Sequence, residues 1–481
     1  MNDTSRDLLG WSARWAPVLA VGGGMIALGP PDGLTARAWW FAAVFTATII
    51  GFLTRPLPMG PMVIIGLVTL LLGRCFGAGS KEAVEGMLSG FADATVWLVV
   101  AAFLLSGTVV RTGFGRRIAL MLIRSLGRTT LGLGYAIAGS ELLLGPIIPA
   151  ATARGGAVMA PIVNALALAL GATPHGERRR TGGFLVLCGA HANLIASAMF
   201  FTGMAANPQL AVIARKTLRV ENWNWTTWLQ GSIVPGLISF ALLPLVLYKL
   251  RPPCIKHSPA AREEAAAELR AMGPWSGRQI AIGLLLLGMV IAWATEPLHG
   301  IHAAGIALAG IALILILRID DWKEMTGDRA AWDALIWLGG LVTMAKFLES
   351  EKVIAWFATL MKEQVVGMHG VAAAIVLAVI YFFSMYAFSM MTGHIMAMAG
   401  AFFVVAAAAG SPPLLIVAMI SYFSNLCGCL TNYSTGQVVI YSGFDYVTTR
   451  RWFAVGFGVA IFHLTVWLGI GLPYWKFLGW W

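Results

Sequence analysis

Charge is what this sequence has least of. Only 11% of its 481 residues are Asp, Glu, Lys or Arg, against about 25% in an average soluble protein. That shortage excludes a water-soluble multidomain enzyme. Cysteine is also sparse. The five (Cys75, Cys188, Cys254, Cys427 and Cys429) are odd in number and scattered, so no disulfide framework is expected. Cys427 and Cys429 read as small buried hydrophobes rather than a metal site. There is no G-x-S-x-G, H-E-x-x-H or P-loop, and His299 and His302 read as surface residues. No enzyme, cofactor or metal site is expected. The N-terminus lacks a clean basic segment and a small-residue cleavage site. Its apolar stretch Ala16–Gly29 therefore reads as a first membrane helix and not as a secretion signal.

Hydrophobic residues make up 58% of the chain, and mean hydropathy is +0.78. A crossing needs about 20 apolar residues. Apolar runs at 14–29, 38–54, 59–76, 95–127, 183–206, 230–250, 278–296, 301–318, 332–364, 413–444 and 452–478 give eleven candidate crossings. Two longer stretches, 131–171 and 369–410, carry Gly or Pro near their middles. Each is expected to be a re-entrant hairpin, tolerated at membrane depth only where protein or a cavity surrounds it. The fold class is therefore an all-α polytopic membrane protein. The formal charge of +11 is assigned to loops kept in the cytoplasm and not to nucleic-acid binding. With the N-terminus inside and the C-terminus outside, Arg116, Arg117, Arg178 to Arg180, Lys249 to Arg278, Arg450 and Arg451 all fall inside. Trp223, Trp225, Trp228, Trp475, Trp480 and Trp481 sit at span ends, as an aromatic belt does, and the expected location is the cytoplasmic (inner) membrane.

The chain resembles itself. Asp93 to Trp97 matches Asp333 to Trp337 at an offset of 240, which also sets Thr152 on Thr392. Asn193-Leu194 matches Asn425-Leu426, and Thr202 matches Ser434, at an offset of 232. In the topology above the two copies start on opposite sides, so they are inverted repeats. The expected division is 1–37 for the N-terminal segment and first helix, 38–250 for the first repeat, 251–277 for a cytoplasmic loop and 278–481 for the second repeat. Substrate in such carriers binds near the midplane, where broken helices of both repeats meet. Four segments fit: PAATARGG (Pro149–Gly156), FFTGMAANP (Phe200–Pro208), SMMTGH (Ser389–His394) and LTNYSTG (Leu430–Gly436). Broken helices present backbone N–H groups and positive dipole ends, which favour anions.

The segments GPIIPAATARGGAVMAPI, ASAMFFTGMAANP, DALIWLGGL, SNLCGCLTNYSTG and WLGIGLPYWKFLG resemble the divalent anion/sodium symporter family. The similarity is nearest to its branch of citrate, tartrate and succinate exchangers and plastid 2-oxoglutarate/malate translocators, and covers nearly the whole chain. The resemblance implies a homodimer in the lipid bilayer, with a scaffold and a transport domain that moves as an elevator. It also implies a Ser-Asn-Thr-like signature at each hairpin tip. Here the tips read Ala150-Ala151-Thr152 and Met390-Met391-Thr392 after Ser389, a departure that bears on sodium coupling.

The expected function is exchange of small di- or tricarboxylates. Thr152, Arg154 and Thr392 are expected to meet substrate carboxylates, Arg154 bidentately, with His394 beside them. Thr202, Asn207, Asn432, Ser434 and Thr435 complete the site from the broken spans, while Ala150, Ala151, Asn193, Ser389 and Asn425 support it. An empty site holding an unpaired guanidinium crosses slowly, which favours obligate exchange. Sodium-driven uptake and an anion channel are the alternatives.

Overall fold

The computed structural model describes residues 3–77, 79–364, 370–388 and 390–481; Ser389 lies outside them. The described residues are helical, and ten helices are long and apolar enough to cross a membrane.

The first body begins with α1 (Asp3–Leu28), α2 (Ala36–Thr54), α3 (Met59–Leu72) and the short α4 (Ser80–Leu88). Then comes α5 (Ala94–Thr112), capped by Asp93, whose carboxylate accepts from Thr95 N. The single crossing expected at 95–127 is corrected here. The chain turns at Gly113, φ +70°, and continues as α6 (Phe114–Leu126). Such a φ suits glycine because a Cβ is penalised there. α6 is amphipathic: Phe114, Leu120 and Ile123 are buried, while Arg116 and Arg124 are exposed.

α7 (Thr130–Leu144), a π-helical turn at Ala153–Met159 and α8 (Ala160–Ala169) occupy the stretch expected to form the first hairpin. α9 (Arg179–Met199), a short turn at Phe201–Gly203 and α10 (Asn207–Leu218) make the first broken span. α11 (Trp225–Leu250) leads to α12 (Pro259–Ala271), which lies in the region expected as a loop. α12 buries Ala261 and Ala265, and its Glu268 pairs with Arg116 at 2.8 Å.

The second half contains α13 (Gly277–Ala294), α14 (Glu296–His299), α15 (Ala303–Ile316), α16 (Trp322–Thr326), α17 (Arg329–Ser350) and α18 (Val353–Gln364). The run 332–364 is thus two helices, divided at Glu351-Lys352. α17 is capped by Asp328. Asp333 lies inside it and does not match the capping role of Asp93. α19 (Gly370–Ser384), α20 (Met391–Ala408), α21 (Pro413–Leu426), α22 (Gly436–Gly443), α23 (Thr449–Gly469) and α24 (Gly471–Phe477) complete the chain. α3 and α15 have 14 residues each. At 1.5 Å per residue that is about 21 Å, short of a hydrocarbon core of about 30 Å.

Two apolar cores hold the helices. A smaller one joins α1, α2 and α3 to one face of α5 and of α17, through Phe41, Val63, Val96 and Leu338. The larger surrounds α9 and α21, which pack on each other. From Thr181 to Met199 every residue of α9 is buried. A helix apolar on all sides belongs inside the protein. Its few polar groups, His191, Asn193 and Ser197, are therefore held away from lipid.

Candidate site at the broken helices

The break between α7 and α8, expected as the tip of a first hairpin, is built around Arg154. Its side chain is fully buried. Nε donates to Glu141 Oε2 at 2.7 Å. Nη1 donates to the carbonyls of Ile148 (2.9 Å) and Gly203 (3.2 Å). Nη2 donates to Asn193 O (3.4 Å) and Ser197 Oγ (3.0 Å). A guanidinium has five N–H donors, and all five are taken. In this structure the guanidinium expected to meet substrate is turned to protein partners instead. Arg154 ties the tip to the broken span and is neutralised by Glu141. A buried cation survives only when paired and hydrogen-bonded, and Glu141 is the one acidic residue in 131–171. That need was the signal in the sequence that could have named it.

Asn193 belongs to the same cluster. Its amide donates to Glu141 Oε2 (2.9 Å) and to the carbonyl of Ala151 (3.2 Å). The carbonyl of Ala150 accepts from Arg154 N. Gly155 and Gly156 let the tip nest: a Cβ on Gly155 would lie 2.7 Å from Asn193 Nδ2, and one on Gly156 2.6 Å from Ile440 Cδ1.

The break before α20, expected as the second tip, carries other chemistry. The offset that sets Arg154 on His394 also sets Glu141 on Tyr381. The two form a ring pair, centroids 4.3 Å apart. His394 is buried, its Nε2 is 2.8 Å from Ser384 Oγ, and Phe388 packs on its other side. It is thus enclosed by protein in this structure, where its expected partner was an anion.

The broken spans are clasped together. Asn207 Nδ2 donates to the carbonyls of Ser197 (2.8 Å) and Phe200 (3.1 Å), and its Oδ1 accepts from Asn425 Nδ2 at 2.9 Å. This buried residue satisfies a carbonyl that the helix break leaves without its usual donor. Ser434 Oγ is also turned inward, donating to Gly428 O at 2.7 Å. Thr435 caps α22, accepting from Val438 N. Asn432, half-buried, donates to Ser442 Oγ. The Thr202 hydroxyl is buried without a partner.

What remains open is narrower than the sequence suggested. Thr152 is exposed and Thr392 half-exposed. Both tips dock on one stretch. Thr152 Oγ1 lies 3.2 Å from Gln437 Oε1, and Met391 N donates to Ser434 O at 2.7 Å. Gln437 was not singled out from the sequence; it lies one residue past the broken-span motif. α23 packs on the turn at Cys427–Leu430, just before this stretch, at Gly456, where an added Cβ would run into the Cys429 carbonyl. Gly456→Ala should lower stability by about 1–3 kcal/mol, as overpacking does, seen as a fall in melting temperature of the purified protein.

Comparison with known proteins places this geometry. The family model described as the sodium:sulfate symporter transmembrane region matches residues 11–481. The Bacillus subtilis protein named "Putative malate transporter YflS" is 40% identical over 453 residues, 94% of this chain and 93% of its own. The chloroplastic dicarboxylate transporter 1 of Arabidopsis thaliana is 36% identical, covering 94% of this chain and 80% of its own. Among solved structures, MtrF of Neisseria gonorrhoeae superposes with a TM-score of 0.56 at 13% identity, covering 95% of this chain and 96% of its own. That likeness is one of fold.

Proposed function

The chain belongs to the sodium:sulfate symporter family, and from that premise we propose that it is a secondary transporter of small dicarboxylate anions. It is not an enzyme, since the family is one of transporters. The observation that carries the proposal is the convergence of both tips on residues 434–437. Thr152 and Thr392 bring two hydroxyl donors to the place where α20 and α22 begin. Helix N-termini there add backbone N–H groups and positive dipole ends, which suit carboxylates. Relatives named for malate and dicarboxylate transport support this substrate class.

The finer architecture belongs to the same proposal. The halves are inverted repeats, with re-entrant hairpins at 131–171 and 369–410 and the N-terminus inside. Glu141–Arg154 and Tyr381–His394, matched in position and each in contact, support this reading. The body around α9 and α21 moves as an elevator against the body of α1 to α3, in a homodimer. The two separate apolar cores support that division.

The coupling reading changes. Obligate exchange rested on an unpaired guanidinium, and Arg154 is paired. A neutral pair leaves the substrate charge to be met from elsewhere, which favours sodium-coupled uptake over exchange. Liposomes with empty lumens should then accumulate malate under an inward sodium gradient. Uptake only with malate trapped inside would restore exchange. Removing one hydroxyl bond to a charged group costs about 1.5–3 kcal/mol. Thr152→Ala and Thr392→Val should therefore each raise KM for malate roughly ten- to a hundredfold. An unchanged KM in both would overturn the site.

A further inference from the structure

A largely apolar cavity lies away from the helix breaks, between the two bodies. It encloses about 490 Å³. Its walls come from α1, α2, α17 and α18 on one side and from α10 and α20 on the other, with Trp39, Phe45, Leu348, Phe357, Ile213 and Met396 among them. Two lining residues of α10 break the pattern. Gln209 is 3% exposed and its Nε2 has no hydrogen-bond partner; Lys216 Nζ is likewise buried and unpartnered.

The charges around Lys216 explain why it is left over. Nearby carboxylates are engaged by other cations, Glu349 by Arg219 at 3.1 Å and Asp93 by Lys346 at 3.9 Å while capping α5, and Arg215 next to Lys216 is paired with Glu221 at 3.2 Å. Among these described groups four cations face three carboxylates, and Lys216 is the surplus. A buried ammonium without a counter-ion is costly, so the site is one anion short.

We propose that this cavity binds one anionic phospholipid of the surrounding bilayer, with an acyl chain against the carbon walls and the phosphate on Lys216. Ligand sites of this size pair mainly apolar walls with a few placed polar groups. Basic pockets between membrane helices bind anionic headgroups, and the exposed Arg215 and Arg219 flank this one. A dicarboxylate fits poorly, because its second carboxylate would be buried against hydrocarbon. A lipid seated here touches both bodies and bridges the surface along which they would slide.

The test uses the full chain purified in detergent, with dioleoylphosphatidylglycerol as probe, read by native mass spectrometry and by melting temperature. The wild type should retain one phosphatidylglycerol per protomer, in preference to zwitterionic phosphatidylcholine, and melt several degrees higher with it. Lys216→Ala should retain at least tenfold less, while Lys216→Arg keeps the lipid. Without lipid, Lys216→Ala should melt no lower than wild type, since it removes an unpaired charge. Gly400→Phe, which fills the cavity without touching Lys216, should also lose the lipid. Wild-type retention by Lys216→Ala or by Gly400→Phe would overturn the proposal. So would equal binding of phosphatidylcholine, stabilisation by oleate but not phosphatidylglycerol, or displacement of the lipid by malate.

Discussion

Arg154→Ala should unfold or strongly destabilise the protein, by about 3–5 kcal/mol, before it alters substrate affinity. Truncating one partner of a buried ion pair strands the other in a medium that cannot solvate it. Here the stranded group is Glu141, with both side chains at 0% exposure. The carbonyls of Ile148 and Gly203 lose their shared donor at the same time. The prediction separates a structural arginine from a substrate-binding one. Glu141→Leu combined with Arg154→Met should recover at least half of the lost stability, because replacing both charges with apolar groups removes the stranded ion. A substrate-binding arginine gives the opposite pattern: Arg154→Ala folds normally and raises KM, and the double variant is no better. Expression level, melting temperature and malate KM of the three variants decide between them.

Asn207→Ala should be the second most damaging change. It removes the donor held by the Ser197 carbonyl, weakens the bonding of Phe200 O, and leaves one N–H of Asn425 unmatched. A stranded buried polar group costs about 1–3 kcal/mol, and two or more are stranded here. The clasp joins the broken spans of both halves, so transport should fall at least tenfold along with the melting temperature. Asn207→Asp is informative because it keeps the acceptor for Asn425 but turns a carboxylate toward two carbonyls. It should be no better than Asn207→Ala. If Asn207→Asp transports normally, the amide donors do not hold the break.

The helical membrane character was legible from composition and apolar run length. The breaks were legible too, because Gly, Pro and hydroxyl residues interrupt otherwise apolar stretches at Pro149–Gly156 and Leu430–Gly436. The internal register of 240 is a reading of the sequence, and the positions it aligns, Glu141 with Arg154 and Tyr381 with His394, are each in contact. The turn at Gly113 was harder to see. An amphipathic helix following a spanning helix reads as one long apolar run unless the arginines are set on a helical wheel.

The direction a polar side chain takes was not legible. Arg154, Asn207 and Ser434 stand in ligand-like motifs, yet each is spent on backbone or side-chain partners brought from elsewhere in the chain: Gly203, Asn425 and Gly428. Hydrogen-bond demand is a property of the residue type, and the sequence states it. Whether protein or substrate meets that demand depends on which carbonyls and carboxylates the packing of α9 against α21 leaves within about 3 Å. By itself the sequence determined a bilayer-embedded helical carrier with paired helix breaks. Only the tertiary structure decided which polar groups are already bonded and which, like Thr202 and Lys216, still await a partner.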